Sequence, residues 1–313
     1  MHSLKRLCVL VCALALGLAC TGCGSPAKTD LTVLTIATAD NGGTMYPVGS
    51  AIAEVLSDES VKVNVSASSG SIMNVQSLID GEVDLALVSG DAAYEAWQTP
   101  EGEDLRAIAA VYVSVSNWVA PIETGAVYVH DLAGMRLGIG PQSSATDMTA
   151  RTALQALGLD QSEVTLVNCG LGAGTNLVLE GELDAVHGFT GAPIGGLSDL
   201  AEQTPSHVLL YTQDELEAIL RSNSLYVDAL VPAGTYEGQN LAVRTFGVKC
   251  LLCVDASADE DLIFSLTHSL WEGRETLVQV HPCMEVMKNG NFLCEDIPIP
   301  LHSGADRFYT DME

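Results

Sequence analysis

The chain has few basic side chains: 13 Lys and Arg stand against 40 Asp and Glu in 313 residues, a formal net charge of −27. That scarcity argues against binding to nucleic acid or to anionic lipid headgroups, both of which need clustered cations. The common enzyme signatures are missing as well. There is no Gly-x-Ser-x-Gly turn, no Gly-Lys pair and hence no P-loop, and no His-Glu-x-x-His. The apolar stretch Leu7 to Leu18 falls short of the roughly 20 residues a membrane-crossing helix takes. Charged residues make up only 17% of the chain while 48% are hydrophobic, which gives ample material for a buried core and none of the bias of disordered chains.

What is present begins with an address. Lys5 and Arg6 precede the Leu7–Leu18 stretch, and Ala19-Cys20-Thr21-Gly22-Cys23 follows just before a polar run. A basic start, a short apolar core and small residues at the cut are the marks of a secretory signal, here over residues 1–22. The small-small-Cys ending resembles the bacterial lipobox, with Cys23 as the lipidated residue and Cys20 as the alternative. Acyl chains, at about 0.8 kcal/mol per buried methylene, would hold the chain at a membrane surface, with residues 23–30 as the tether. Without residues 1–22, eleven basic residues face 40 acids, a net charge near −29. The remaining length of about 290 residues suits two lobes of ordinary size.

Five cysteines lie beyond the anchor: Cys169, Cys250, Cys253, Cys283 and Cys294. Cys250-Leu-Leu-Cys253 has the spacing of a metal or redox motif, but it sits in an apolar run that reads as a buried strand. Residues three apart on a strand face opposite ways, so the pair is read as two small core residues and no metal is expected. Cys283 and Cys294 flank a short segment and, in an oxidising compartment, either pair as a disulfide or stay reduced.

Strands and helices alternate from the start. Strands are predicted over Leu31–Ala37, Val61–Ala67, Val83–Val88 and Leu105–Val113, with helices over Met45–Leu56, Ser71–Asp80 and Ala92–Gln98 between them. The same grammar restarts with strands at Arg136–Ile139, Val164–Val167 and Ala185–Phe189 and helices at Ala145–Leu157 and Gly172–Glu180. Asp80-Gly81-Glu82-Val83-Asp84-Leu85-Ala86 and Glu180-Gly181-Glu182-Leu183-Asp184-Ala185-Val186 are near copies, each a glycine helix stop followed by a strand that opens around an Asp. A further strand (Phe246–Val254) and a long helix (Asp259–Val278) return to the first half. Two lobes of one α/β architecture with a cleft between them follow: residues 31–116 start the first lobe, 117–210 build the second, and 211–313 return to the first.

Each lobe has Gly-, Ser- and Thr-rich turns between strand and helix: residues 41–47 and 68–71 in the first, and 140–146 in the second. In open α/β sheets such loops beyond the strand carboxyl ends are where ligands bind, and a helix start offers unpaired N–H groups suited to an anion. The plainer reading makes Thr44, Ser71 and Ser144 simple N-caps. His187 lies in a strand and reads as a packed core residue. A hydrolase pairing Ser144 with His187 is the enzymatic alternative.

Four blocks are similar to the TAXI family, the substrate-binding proteins of one branch of tripartite ATP-independent periplasmic (TRAP) transporters. They are Asn41-Gly42-Gly43-Thr44-Met45-Tyr46-Pro47, Ser69-Gly70-Ser71-Ile72-Met73-Asn74 with the Gly81–Ala86 block, Val231–Tyr236 with Gly238-Gln239, and Ile299-Pro300-Leu301-His302-Ser303-Gly304-Ala305-Asp306-Arg307-Phe308-Tyr309. The resemblance implies a type II periplasmic-binding-protein fold. It implies a non-enzymatic, monomeric, cofactor-free receptor that passes a small carboxylate, glutamate-like or a dicarboxylate, to a TRAP permease. By the same resemblance Gly43, Thr44, Tyr46, Gly70, Ser71 and Asp91 line the first lobe's wall, and Ser144, Thr146 and Thr190 the second's. The chain departs from the family where Ser89-Gly90-Asp91 replaces Gln-Ser-Asp and Ser143-Ser144-Ala145-Thr146 replaces Gly-Ser-Gly-Thr. A cationic or zwitterionic solute held by Asp91 is the rival ligand class, and a sensor of the same fold signalling to a membrane receptor is the rival function.

Overall fold

The computed structural model describes residues 31–159 and 163–312; the signal and Cys23 lie outside them. The first βα units run β1 (Thr32–Ala37), α1 (Met45–Leu56), β2 (Val61–Ser66), α2 (Ser71–Ile79), β3 (Leu85–Ser89) and α3 (Gly90–Trp97). A 17-residue strand, β4 (Leu105–Pro121), leads into β5 (Arg136–Gly138), α4 (Ala145–Ala156), β6 (Thr165–Val167), α5 (Leu171–Leu179), β7 (Ala185–Thr190) and α6 (Gly195–Gln203). There follow β8 (Ser206–Val208), α7 (Gln213–Ser222), β9 (Val227–Val231), β10 (Val243–Asp255), α8 (Glu260–Val280), α9 (Asn291–Cys294) and α10 (Ser303–Met312).

The strands form one sheet in the order β2-β1-β3-β10-β4-β7-β5-β6, with β8 added to β4 and β9 to β10. In the first half β1 is parallel to β2 and β3, and β10 lies antiparallel beside β3. In the second half β5 is parallel to β6 and β7, and β4 lies antiparallel beside β7. The chain thus builds the same motif twice, as the repeated Gly-Glu-x-Asp block predicts. Gly81 and Gly181 both take the left-handed conformation (φ +69° and +73°) that ends a helix. The carboxylate of Asp84 then accepts the Thr35 N–H at 2.7 Å, and that of Asp184 accepts the Arg136 N–H at 2.7 Å. Each Asp therefore ties the strand it opens to its neighbour.

β4 and β10 serve both halves. Leu105–Val115 of β4 pairs with β10, while Val115–Val119 pairs with β7; Cys250–Cys253 of β10 pairs with β3, while Val243–Gly247 pairs with β9. The first lobe packs α1 and α8 on one sheet face through Val48, Ile52, Ile263 and Leu270, and α2 and α3 on the other through Val75, Leu78, Ala92 and Ala93. Each fully buried Val, Ile or Leu there contributes about 1.5–3 kcal/mol. Cys250 belongs to the first of these cores and Cys253 to the second, opposite faces as strand geometry requires. Cys283 is not in a disulfide with Cys294; it lies 3.0 Å from His281 Nδ1.

Past residue 211 the chain still packs on the second half. Leu216, Ile219, Tyr226, Phe246 and Val248 share a core with Ala145, Ala153 and Phe189, and Val231, Tyr236 and Val243 pack with Leu171, Val186 and Leu197. Residues 213–248 therefore cover the second lobe, and the crossing back lies inside β10. The short α7, with its Thr212–Glu215 capping box, supplies the cover.

Candidate functional site

Because β4 and β10 join the halves antiparallel, the strand-to-helix loops of both lobes meet at one junction. On the first-lobe side a buried polar frame holds them. The Asn74 amide donates to the carbonyls of Thr38 and Leu87, both at 2.7 Å, and the Ser71 hydroxyl accepts the Ser89 N–H at 3.0 Å. The Asp40 carboxylate accepts the Gly42 N–H at 2.8 Å and so shapes the turn into α1. On the second-lobe side Ser144 caps α4, accepting the Asp147 N–H at 3.1 Å while its hydroxyl donates to the Pro141 carbonyl at 2.7 Å. The Thr146 hydroxyl accepts the Phe189 N–H at 3.3 Å.

Between these walls lies an interlobe cleft. Of the expected site residues, Gly43, Thr44, Gly70, Ser71, Ser144, Thr146 and Thr190 line it. Tyr46 and Asp91 are not among the lining residues; Tyr46 is half-buried in the first turn of α1, and Asp91 is fully buried behind Ser89 at the start of α3. Asp40, Leu171 and Phe189 line it too. Asp40 and Leu171 each carried a signal, since one sits in the turn before α1 and the other opens the helix after β6. Phe189 is the penultimate residue of the continuously buried β7 and carries none.

Of the three hydroxyls with a plain capping alternative, only Ser144 caps its helix. Thr44 instead donates across the junction to the Gly191 carbonyl, Ser71 serves Ser89, and neither α1 nor α2 has a side-chain cap. The first-turn N–H groups of both helices therefore keep their partial positive charge at the cleft. Asp40 is the one ionisable side chain among the lining residues, and no Lys, Arg or His is among them.

The lobes are closed on each other. The Gly196 N–H donates to the Gly42 carbonyl at 2.9 Å, Tyr112 and Thr190 meet at 3.2 Å, and His281 Nε2 donates to the Pro193 carbonyl at 3.1 Å. A cavity of about 30 Å³ remains, space for one or two waters. Admitting any larger solute means separating the lobes. Ser143 holds a left-handed backbone (φ +64°), a conformation that glycine takes freely and that strains a side chain.

The hydrolase alternative finds no geometry here. His187 is fully buried, with Nδ1 on the Thr146 carbonyl (3.2 Å) and Nε2 on the Ser116 hydroxyl (2.9 Å), and it stacks on Trp118. Burial lowers its pKa to about 3. Both nitrogens are thus engaged away from Ser144, whose own oxygen is occupied in capping.

A model of the NMT1-like family matches residues 36–312. Among solved structures, the chain resembles a Bordetella bronchiseptica RB50 protein at 18% identity and TM-score 0.55, with 89% of each chain covered. It also resembles the zinc-bound ligand-binding component of an ABC-type import system from Staphylococcus aureus, at 10% identity and TM-score 0.51, covering 80% of this chain and 78% of that one. An Archaeoglobus fulgidus protein matches at 10% identity and TM-score 0.50 over 90% and 95% of the two chains. These likenesses establish the α/β, periplasmic-binding-protein-like fold.

Proposed function

From the premise that the chain belongs to the NMT1-like family, we propose that it is a non-enzymatic, extracytoplasmic solute receptor whose two lobes close over a small ligand. One observation carries this reading: Gly- and hydroxyl-rich loops from both lobes line a single cleft, at the strand carboxyl ends where open α/β sheets bind ligands. The ligand class proposed is a small carboxylate, glutamate-like or a dicarboxylate. Uncapped starts of α1 and α2 supply N–H donors and partial positive charge, roughly 0.3–2 kcal/mol per helix end, and Ser71, Thr146 and Thr190 supply hydroxyls. At physiological salt the Debye length of about 8 Å screens the remote acids, which leaves the helix ends to act against the one lining acid, Asp40, whose carboxylate is engaged by the Gly42 N–H. The blocks similar to the TAXI family make a TRAP-type permease the proposed recipient, and the lipobox at Cys23 makes the receptor a lipid-anchored one.

Native mass spectrometry of the purified protein, followed by calorimetry with glutamate, 2-oxoglutarate and a basic amino acid, tests the reading. Retention or tight binding of a carboxylate is the expected result. Binding of the basic amino acid alone would replace the carboxylate class by a cationic one, and turnover of an ester or amide would overturn the receptor reading.

A further inference from the structure

A carboxyl group lies buried at the start of α3 with no cation facing it. Asp91 is fully buried. Its Oδ1 accepts hydrogen bonds from the Ser89 hydroxyl and from the Ala92 N–H at 2.9 Å. Its Oδ2, equally hidden from solvent, makes no hydrogen bond of normal geometry. The groups around it come from both lobes. Glu95 stands one turn along α3, Cys250 faces it from β10, and the Tyr226 hydroxyl lies beside it. Tyr226 belongs to the second lobe: its ring packs against Phe189 and Phe246 with centroids 6.4 Å and 4.8 Å away, and its hydroxyl also meets Thr152 of α4. None of these neighbours carries positive charge.

An ionised carboxylate here would bear its desolvation cost with no ion pair to offset it, so the closed junction favours the neutral acid. Burial pushes the Asp91 carboxyl above its usual range, against the opposing pull of the Ser89 and Ala92 hydrogen bonds. Separating the lobes takes Tyr226 away and lets water reach the carboxyl, whose ordinary pKa in water is about 3.9. We propose that Asp91 is a proton-binding site at the lobe junction, so that closing the cleft takes up a proton and opening it releases one. The proposal rests on the reading that the lobes open and close.

The sign follows from the proton count. The closed form binds more protons than the open form, so closure gains as pH falls. Above about 3.9 and below the closed-state value, the closing constant rises up to tenfold for each unit of acidification. Capture would be favoured at an acidic membrane surface and release at a more alkaline one.

Solution X-ray scattering of the unliganded full chain from about pH 8 to about pH 5, a range above the ordinary carboxyl pKa, tests this with the wild type, Asp91→Asn and Glu95→Gln. The wild type should become more compact toward low pH. Asp91→Asn should lose that dependence and Glu95→Gln should keep it. Infrared spectroscopy across the same pH range should show a protonated-carboxyl band that grows toward low pH and that Asp91→Asn removes. Should Asp91→Asn fail to fold, Tyr226→Phe takes its place: losing the facing donor should move the wild-type profile toward higher pH. The proposal falls if the Asn variant keeps the wild-type profile, if the Phe variant leaves it unmoved, or if the infrared band is missing. A chain that stays in one unchanging form at every pH sinks the opening-and-closing reading too, whereas lobes that move alike in wild type and Asn variant sink only the proton coupling.

Discussion

Gly42 is where closure has least tolerance. A Cβ built on it would lie 2.5 Å from the Gly172 backbone nitrogen and 3.2 Å from the Gly172 Cα, across the lobe junction. Heavy atoms pack at about 3.5–4.0 Å, so Gly42→Ala forces the first-lobe loop and the start of α5 roughly 1 Å apart. The Gly172 atoms are backbone and cannot swing away; the third neighbour, Asp40 Oδ1 at 3.2 Å, belongs to the side chain that holds the Gly42 N–H. The Gly196 N–H to Gly42 carbonyl bond, now 2.9 Å, would stretch past the useful range, and the nearby bond from Thr44 to Gly191 would go with it. At about 0.5–1.5 kcal/mol net for each bond, the closed form loses about 1–3 kcal/mol. The closing constant then drops roughly 5- to 150-fold, with a matching rise in Kd for any solute that needs the closed form. Scattering of the unliganded chain and calorimetry with the retained solute measure both. Gly172→Ala is the control, because its Cβ would meet nothing within 4 Å. If Gly42→Ala closes and binds like the wild type, or if Gly172→Ala is equally impaired, the tight junction is not what sets closure.

Three further outcomes follow from the same geometry. Ser143→Gly should stabilise the chain by about 0.5–1 kcal/mol in urea unfolding, since relief of left-handed strain exceeds the entropy glycine adds to the unfolded state; a destabilised variant would refute this. Asp184 is held below the usual carboxylate range by its two bonds to the Arg136 guanidinium. A depressed folded pKa gives stability that is present above about 3.9 and lost as pH falls through the folded value, so Asp184→Asn should cost about 1 kcal/mol near neutral pH and progressively less in acid. His187, its pKa lowered by burial to about 3, should stay neutral by NMR through the whole mildly acidic range. Because the unfolded chain protonates its histidine near 6.5, acidification from there toward 3 should destabilise the fold by about 1.4 kcal/mol per pH unit from this group; an imidazole titrating near 6 would contradict its burial.

The elements best marked in the sequence were those whose pattern is purely local. Met45–Leu56 is a helix with its stripe at Val48, Ile52 and Leu56 buried, and the two Gly-Glu-x-Asp blocks mark the duplicated motif because Asp84 and Asp184 do the same work in each half. β4 was read only to Val113 yet runs to Pro121, because Ser114, Ser116 and Asn117 break the apolar run. Those three are buried all the same. Asn117 donates to the Val115 carbonyl at 2.9 Å and accepts from the Tyr236 hydroxyl, while Ser116 meets His187 and Tyr211. Partners 70 or more residues away satisfy most of these groups, and no window of hydropathy can register that. Asp91 shows the same dependence on distant partners: its carboxyl is buried and bonded to Ser89, and the Tyr226 hydroxyl beside it comes from far along the chain.

The cleft hydroxyls show what the capping alternative costs. A Ser or Thr that caps its helix contributes about 1 kcal/mol, and Ser144 does so for α4. Thr44 stands at the N-cap of α1 but spends its hydroxyl on Gly191 of the other lobe. α2 starts from Gly70, which has no side chain to cap with and sits at φ +121°, and a Cβ built there would lie 3.2 Å from that of Ser144. Both helices thus forgo a local stabilisation at the places where the lobes meet. Local rules broken together at one junction are the expected sign of a functional surface, and the proposed anion would take up the same N–H groups that the missing side-chain caps leave open on α1 and α2.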